Sequence, residues 1–593
     1  MSDYKSAIFE KKYRYKDENI DEFYARVSGG DTELEALMRD DYFTFGGRIL
    51  SNRGLSKHGI KITYSNCYAT AQPDDNIESI FDVNKEIARI YSYGGGCGCD
   101  FSKLRPHGSL VNNAAKSTTG PVPFMKVLNT TTGVIGQDGR RGALMISLIC
   151  THPDILTFIN AKNTEGEITQ ANISVRFTDD FLIAARQDKW FALTFKIETT
   201  GEVITKAIKA KEVMMDFAYN NWDNAEPGAL FWDRINSWCI MSEDDEFEFA
   251  GVNPCAEQPL PAYGSCLLGS INLSRFVINP FLPSAKFDMN MFKYVVSKAV
   301  RSLNEVLDEG LPLHPLQQIR DSVYNYRQIG LGVMGYADML IKMGMKYGSD
   351  DSLVLIDYIM SSMSDTALST SALLAKSEGH FPKCKIDKLI ASPYIQFNAS
   401  ESTMELIERY GLRNSQILTI APTGSTAPLL NASWAAEPIY DVSYRVKTES
   451  LDGKESYYNV FTPIISELME VQGLSDVHDL PDYVVSSKRI PWKRRIDTQA
   501  TFQKYIDASI SSTVNLPEYV GVRDVYELYM YSWEKGLKGV TVYRDNCSRS
   551  GTLTSTIEDN EVKYCPTCGT ELAMVEGCKA CPNEECSYAQ CGL

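Results

Sequence analysis

Apolar residues recur at helical spacing from Ile77 onward, where Ile80, Phe81, Val83, Ile87, Ile90 and Tyr91 fall on one stripe. The turn Pro73-Asp74-Asp75-Asn76 can cap that helix, and Gly94-Gly95-Gly96 must end it. A longer stripe, Phe292, Val295, Val296, Ala299, Val300, Leu303 and Leu307, follows Asp288 and predicts a helix with Gly310 just past its end. Helical patterning also covers about 332–343 and 353–377, and Ser402-Thr403-Met404-Glu405 reads as a capping box. The apolar run 143–149 and Ile173-Ser174-Val175 read instead as strands, with a helix starting at Asp154 between them. Strands alternating with helices over most of the chain predict an α/β fold on a largely parallel sheet, closed or open.

Stretches without periodicity divide the chain. Residues 1–50 read as a charged, helical lead-in, 51–550 carry the alternating pattern, 551–562 are small and polar like a flexible tether, and 563–593 are crowded with cysteine. Two irregular loops, 107–120 and 162–172, interrupt the α/β region, and long loops are where ligands are held.

Composition narrows the function. The 593 residues are 44% hydrophobic and 23% charged, as in an ordinary soluble globular protein, and the net charge of -17 argues against binding nucleic acid through its phosphates. The first residues lack the apolar core of a signal peptide, and no apolar run approaches the roughly 18 residues of a membrane span, so a cytoplasmic, non-membrane protein is expected. Fifteen cysteines in a reducing compartment then point to metal or redox work. Cys565-x-x-Cys568 and Cys578-x-x-Cys581 are two knuckles of the kind that supply four thiolates to one tetrahedral zinc, which leaves Cys586 and Cys591 over. A tethered zinc ribbon ending in a spare dithiol can carry reducing equivalents into a buried site.

Inside the α/β region, Asn253-Pro254-Cys255-Ala256-Glu257 sets a thiol between an amide and a carboxylate, with Cys266 shortly downstream. In an extended strand Asn253, Cys255 and Glu257 would share one face. The run 417–420 feeds Ala421-Pro422-Thr423-Gly424-Ser425-Thr426, a hydroxyl-rich turn, and a helix beginning near Thr426 would aim its N–H groups at an anion. Gly94-Gly95-Gly96 would let backbone approach a ligand, and Gly139-Arg140-Arg141-Gly142 offers an anion contact. None of the six histidines pairs with another at metal-ligand spacing, and the Asp-x-His-x-x-Gly pattern that ligates cobalt in many cobalamin proteins is absent.

Taken together, Asn253-x-Cys255-x-Glu257, residues 266–273, residues 422–426, Gly539-Val540-Thr541-Val542-Tyr543-Arg544-Asp545 and the cysteine tail resemble the catalytic chain of the ribonucleotide reductases, specifically the adenosylcobalamin-dependent class II. The resemblance implies a ten-stranded α/β barrel with a central finger loop, behind a helical N-terminal region and ahead of a zinc-ribbon-like tail. It implies that Cys255 becomes a thiyl radical that takes hydrogen from C3′ of the ribose, that Glu257 is the base at the 3′-hydroxyl, and that Asn253 holds the substrate hydroxyls. Cys67 and Cys266 would supply the proton and electrons as the 2′-hydroxyl leaves, ending as a disulfide. The substrate, a ribonucleoside diphosphate, would lie on Thr423, Gly424, Ser425 and Thr426, with Ser65, Asn66, Gly95 and Gly96 also lining the site. Loops 107–120 and 162–172, with Asp74 and Lys162, would sense a dNTP or ATP effector at a homodimer interface.

Cys586 and Cys591 match the shuttle pair recharged by thioredoxin or glutaredoxin, with zinc held by Cys565, Cys568, Cys578 and Cys581. The spacing of Cys581 from Cys586 exceeds the family's usual one, so Cys586 is also open to a role as a zinc ligand. A chain starting this close to the catalytic region is expected to lack the N-terminal ATP-cone of many members. Two rivals remain. A class I chain needs two adjacent tyrosines where this one has Val542-Tyr543, and a zinc-ribbon nucleic-acid-binding protein needs a basic face.

Overall fold

The computed structural model describes residues 3–137, 140–163, 167–449 and 455–548, and in the tail 553–555, 570, 573–575, 578–583 and 589–591. Its largest sheet has eight strands in the order Ser265–Cys266, Cys67–Ala69, Gly96–Asp100, Leu144–Ile149, Ala171–Phe177, Gly228–Phe231, Gly539–Arg544 and Thr513–Leu516. From Cys67–Ala69 to Gly228–Phe231 every neighbour is parallel, while Ser265–Cys266 and Gly539–Arg544 join antiparallel. The parallel strands are almost wholly buried, as the apolar runs predict, because helices such as Ile77–Ser92 cover them. Asp100, Ser147 and Arg176 tie three of these strands together: Arg176 lies 3.0 Å from the Asp100 carboxylate, and the Ser147 hydroxyl donates to it at 2.7 Å.

A second sheet of three strands pairs Leu268–Asn272 with Phe43–Phe45 and, in parallel, with Gly330–Met334. Ser265–Cys266 runs directly into Leu268–Asn272, so one stretch of chain serves both sheets. Single parallel bridges, Leu331 to Leu418 and Ile420 to Ile510, extend the second sheet. The architecture is mixed α/β, and among the described residues the strands do not close into a barrel.

Most predicted helices appear where the periodicity puts them. Asn76 caps Ile77–Ser92 through Ser79 N, and Asp288 caps Met289–Gly310, which takes in Gly310 as its last residue. The pattern at 332–343 resolves differently, into the Gly330–Met334 strand and the Tyr336–Lys342 helix, with Gly335 at φ +70° between them. Close packing explains this: a Cβ on Gly332 would stand 2.2 Å from the Thr419 carbonyl, a contact the strand needs glycine to make. The helix predicted from Ser402 starts at Glu401, capped by Ser400. In the presumed tether, Leu553–Ser555 forms a strand against Ser443–Glu449.

Candidate active site

The 253–257 stretch is not an extended strand. Gly251–Val252 and Pro259–Leu260 pair antiparallel, and the residues between them make a tight turn. Asn253 closes it: its N–H donates to the Gln258 carbonyl at 3.1 Å, its side-chain Oδ1 accepts from Gln258 N at 2.9 Å, and its carbonyl accepts from Ala256 N. Ala256 sits at φ +63°, so the chain reverses within these five residues and Asn253, Cys255 and Glu257 cannot share a face by strand alternation. What the turn does instead is separate them: Cys255 is exposed at its tip, while Asn253 and Glu257 are buried at its base.

The turn is gripped from two sides. On one, the backbone at Val252 passes so close to Gly98 that a Cβ there would lie 1.7 Å from the Val252 carbonyl oxygen, and a Cβ on Gly96 would lie 3.1 Å from Cys67 Sγ and 3.2 Å from Pro254. On the other, the Glu257 carbonyl accepts from the Thr419 hydroxyl at 2.6 Å and from Ser509 N at 2.9 Å. The Thr419 segment is itself fixed by buried Asp507, whose carboxylate accepts from Ile417 N and Leu418 N, and Lys538 donates to the carbonyls of Asp507 and Ala508.

Cys67 and Cys266 are register partners on adjacent antiparallel strands. Directly opposed residues hold their Cβ atoms about 4.5–5.5 Å apart, so an inward shift of about 1 Å reaches disulfide geometry. Burial pushes the Cys266 thiol well above its ordinary range, and the nearby Glu257, Cys67 and Cys255 add to this, so Cys266 is a protonated thiol surrounded by the other candidate groups. Burial likewise lifts Glu257 to about 7, with the Asn253 amide alongside drawing it back only in part. Asn253 Nδ2 and Glu257 Oε2 are both buried, and the amide lies beside the carboxylate without a well-formed hydrogen bond to it or to any other described residue. A buried amide donor and a buried carboxylate left this way at one base are matched to a ligand that brings hydroxyls.

The 422–426 turn lies beside the thiol pair, for Ala421 packs with Cys266, Leu268 and Cys67. Thr423 takes φ +53°, rare for a β-branched residue, and its hydroxyl accepts from Ala435 N at 2.8 Å. Thr426 N and Ala427 N both donate to the Thr423 carbonyl, and the predicted helix is only the four-residue 3-10 turn Ala427–Leu430. A Cβ on Gly424 would meet nothing within 4 Å, which leaves open space over the turn.

Ser65 is buried and donates to Ser265 Oγ at 3.3 Å, and Asn66 N donates to the Cys266 carbonyl at 3.0 Å. Gly95 serves packing, since a Cβ there would strike the Tyr68 ring at 2.6 Å. Asp74 is exposed just ahead of the Ile77–Ser92 helix. Lys162 turns inward, paired with Glu226 and donating to the Ala171 carbonyl at 2.5 Å.

Cys565, Cys568 and Cys586 lie outside the described residues; Cys578 is the register partner of Cys591 in the tail sheet, and Cys581 is half-buried. Among the described residues no cluster is arranged to hold a metal. Gly98 and Ser509 did not figure in the sequence reading, and Thr419 entered it only as part of the run 417–420. The glycines of Gly96-Cys97-Gly98-Cys99 alternate with period two, a signal for one bare strand face, whereas Thr419 and Ser509 carry none.

Residues 65–543 match the protein family described as ribonucleotide reductase, barrel domain. The chain is 34% identical over 499 residues to a vitamin B12-dependent ribonucleoside-diphosphate reductase of Thermoplasma acidophilum, and the match covers 81% of this chain and 61% of that protein. A protein of the same description from Mycobacterium tuberculosis is 30% identical over 81% of this chain and 68% of its own length. The chain thus spans about three fifths of the first of these relatives. In fold it superposes on the alpha subunit of the Actinobacillus ureae class Id ribonucleotide reductase with a TM-score of 0.72, at 20% identity, covering 92% of this chain and 97% of that one. The family match opens at Ser65, two residues before the first of the paired thiols, and closes at Tyr543 in the strand beside the sheet's far edge, so the chain belongs to the ribonucleotide reductase family through its barrel domain.

Proposed function

We propose that this protein reduces ribonucleotides, as diphosphates, to 2′-deoxyribonucleotides by thiyl-radical chemistry. The observation that carries this reading is the opposed pair Cys67 and Cys266 with Glu257 and Cys255 in electrostatic reach of Cys266. In the proposed reaction Cys255, as a thiyl radical, takes the hydrogen from C3′, and Glu257 takes the 3′-hydroxyl proton. The 2′-hydroxyl leaves as water with a proton from one of the paired thiols. Cys67 and Cys266 give up two electrons and two protons in all and become a disulfide, while Cys255 returns its hydrogen to C3′. A protonated Cys266 suits the proton-donor role, and a carboxyl at about 7 suits a base that must also release its proton. The buried Asn253 amide beside the Glu257 carboxyl supports its role in holding the substrate hydroxyls.

Both relatives named above are described as vitamin B12-dependent, which supports adenosylcobalamin as the cofactor. A cavity of about 330 Å³ runs beside the 422–426 turn, walled by Pro422, Trp434, Tyr440, Tyr444 and Tyr543, with no histidine in its lining. Its volume falls in the range of ligand sites. The cavity is far smaller than adenosylcobalamin, so its aromatic walls would contact only part of the group, the rest lying outside this lining. When bound, adenosylcobalamin supplies the one-electron initiation that Cys255 needs. Val542, fully buried beside Tyr543, offers no second tyrosine for a relay from a partner subunit.

In this reading most strands of the eight-stranded and three-stranded sheets, with the bridged segments at Leu418 and Ile510, make up a ten-stranded barrel spanning 51–550, and the 253–257 turn is its finger loop. Loops 107–120 and 162–172, with Asp74 and Lys162, form the effector site. The Ile77–Ser92 helix, exposing Ile77 (53%) and Phe81 (48%), supports a homodimer interface. Zinc on Cys565, Cys568, Cys578 and Cys581, a Cys586/Cys591 shuttle, thioredoxin or glutaredoxin as reductant and a cytoplasmic location complete the proposal. No helix among the described residues is long and apolar enough to cross a membrane.

The test is an anaerobic assay with adenosylcobalamin, a dithiol and a ribonucleoside diphosphate. The wild-type chain yields deoxyribonucleotide and Cys255→Ala yields none. Full activity without cobalamin, on adding a metallo-radical subunit, would contradict the cofactor assignment.

A further inference from the structure

The first residues of the chain fold back over the 422–426 turn. Asp3–Ile8 is helical and packs on the Ala427–Leu430 turn, and Phe9–Tyr13 continues it as a π-helix. Tyr13 is only 4% exposed, and its hydroxyl lies 2.6 Å from Ser425 Oγ, a bond across 412 residues of sequence. The tyrosine is held firmly. Its ring packs on Gly47, where a Cβ would stand 3.3 Å from the Tyr13 hydroxyl, and Gly46 beside it packs on the Asn66 side chain. Arg26 donates to the Tyr13 carbonyl at 3.3 Å while binding Glu18 and the carbonyls of Leu50 and Arg53. Tyr13 therefore stands between Ser425 and the segment that leads to Cys67.

The chemistry of that hydrogen bond is directional once an anion is present. A phosphate oxygen accepts and the serine hydroxyl has one proton to give, so Ser425 can donate to phosphate only if Tyr13 donates to Ser425. Tyr13 then fixes the rotor and polarises it, as in any chain of hydrogen-bonded hydroxyls. Residues 3–18 carry Lys5, Lys11, Lys12, Arg14 and Lys16 against Asp3, Glu10, Asp17 and Glu18, so the segment is near charge balance in a chain of net charge -17 and does not repel an anion.

We propose that Tyr13 is a positioning residue for the substrate's phosphate group, acting through Ser425, and that the N-terminal segment forms one wall of the nucleotide site. The proposal rests on reading 423–426 as the phosphate turn. Calorimetry on the full chain tests it, with inorganic pyrophosphate, CDP and cytidine as separate probes. Tyr13→Phe, which keeps the buried ring, weakens pyrophosphate and CDP roughly fivefold to tenfold, the scale of one hydrogen bond. It leaves cytidine unaffected, and in a Ser425→Ala background it has no further effect. Unchanged pyrophosphate affinity in Tyr13→Phe overturns the proposal alone, as does an equal loss in the Ser425→Ala background or an equal loss for cytidine. A wild-type chain that binds cytidine but no pyrophosphate overturns the phosphate-turn reading and the proposal with it.

Discussion

Replacing Glu257 by Gln should make the folded chain more stable at pH 8 while removing its chemistry. Burial raises the Glu257 carboxyl from an ordinary 4.5 to about 7. At about 1.4 kcal/mol per pKa unit, ionising it inside the fold costs up to about 3 kcal/mol. The sign follows from linkage. With the folded-state value above the unfolded one, the folded chain binds more protons between about 4.5 and 7, so stability is full below that window and is lost as pH rises through it. Glutamine fills the same volume and never ionises. The gap in stability between Glu257→Gln and wild type therefore widens in the variant's favour by about 3 kcal/mol from pH 4.5 to pH 8, which a chain of this size shows as a few degrees in Tm. Thermal unfolding of both proteins across that range is the assay. A gap that stays constant with pH would refute the raised carboxyl, and a gap that moves the other way would mean a cation beside Glu257 stabilises its charge.

The two turns of the site, 253–257 and 422–426, predict three further outcomes. Gly98→Ala forces a side chain into the Val252 carbonyl and should displace the 253–257 turn, cutting kcat at least about tenfold even if the protein folds. Gly424→Ala meets nothing in the fold, so Tm should hold while KM for the nucleotide rises; an unchanged KM would remove that turn from the site. Thr419→Val deletes the hydroxyl that holds the Glu257 carbonyl and should cost about 1–2 kcal/mol in stability together with a fall in kcat, read by unfolding and steady-state rates; an effect on stability alone would make Thr419 merely structural.

Element types were legible along the chain wherever amphipathic periodicity was strong, as in Ile77–Ser92 and Met289–Gly310. Periodicity failed at 332–334, because a fully buried strand and a buried helix share the same unbroken apolar run and only the contact of Gly332 with Thr419 decides between them. The residues of the site were legible as types, but not the geometry that joins them. Alternation suggested that Asn253, Cys255 and Glu257 share a strand face; Asn253 instead spends its backbone and Oδ1 on closing a turn, a use that its neighbours do not advertise. The opposition of Cys67 and Cys266 depends on strand register across nearly 200 positions, and the bond of Tyr13 to Ser425 on contacts across 412, separations at which local patterning carries no information.

The central claim is that Cys67 and Cys266 are the reductants of a radical reaction begun at Cys255. One anaerobic turnover with adenosylcobalamin and CDP, in a Cys586→Ser/Cys591→Ser variant whose tail cannot take over the disulfide and in the absence of any external dithiol, followed by peptide mapping of the chain, tests it directly. The account predicts one dCDP per chain, with Cys67 joined to Cys266 and Cys255 still a thiol. Product formed while Cys67 and Cys266 both remain reduced would contradict it.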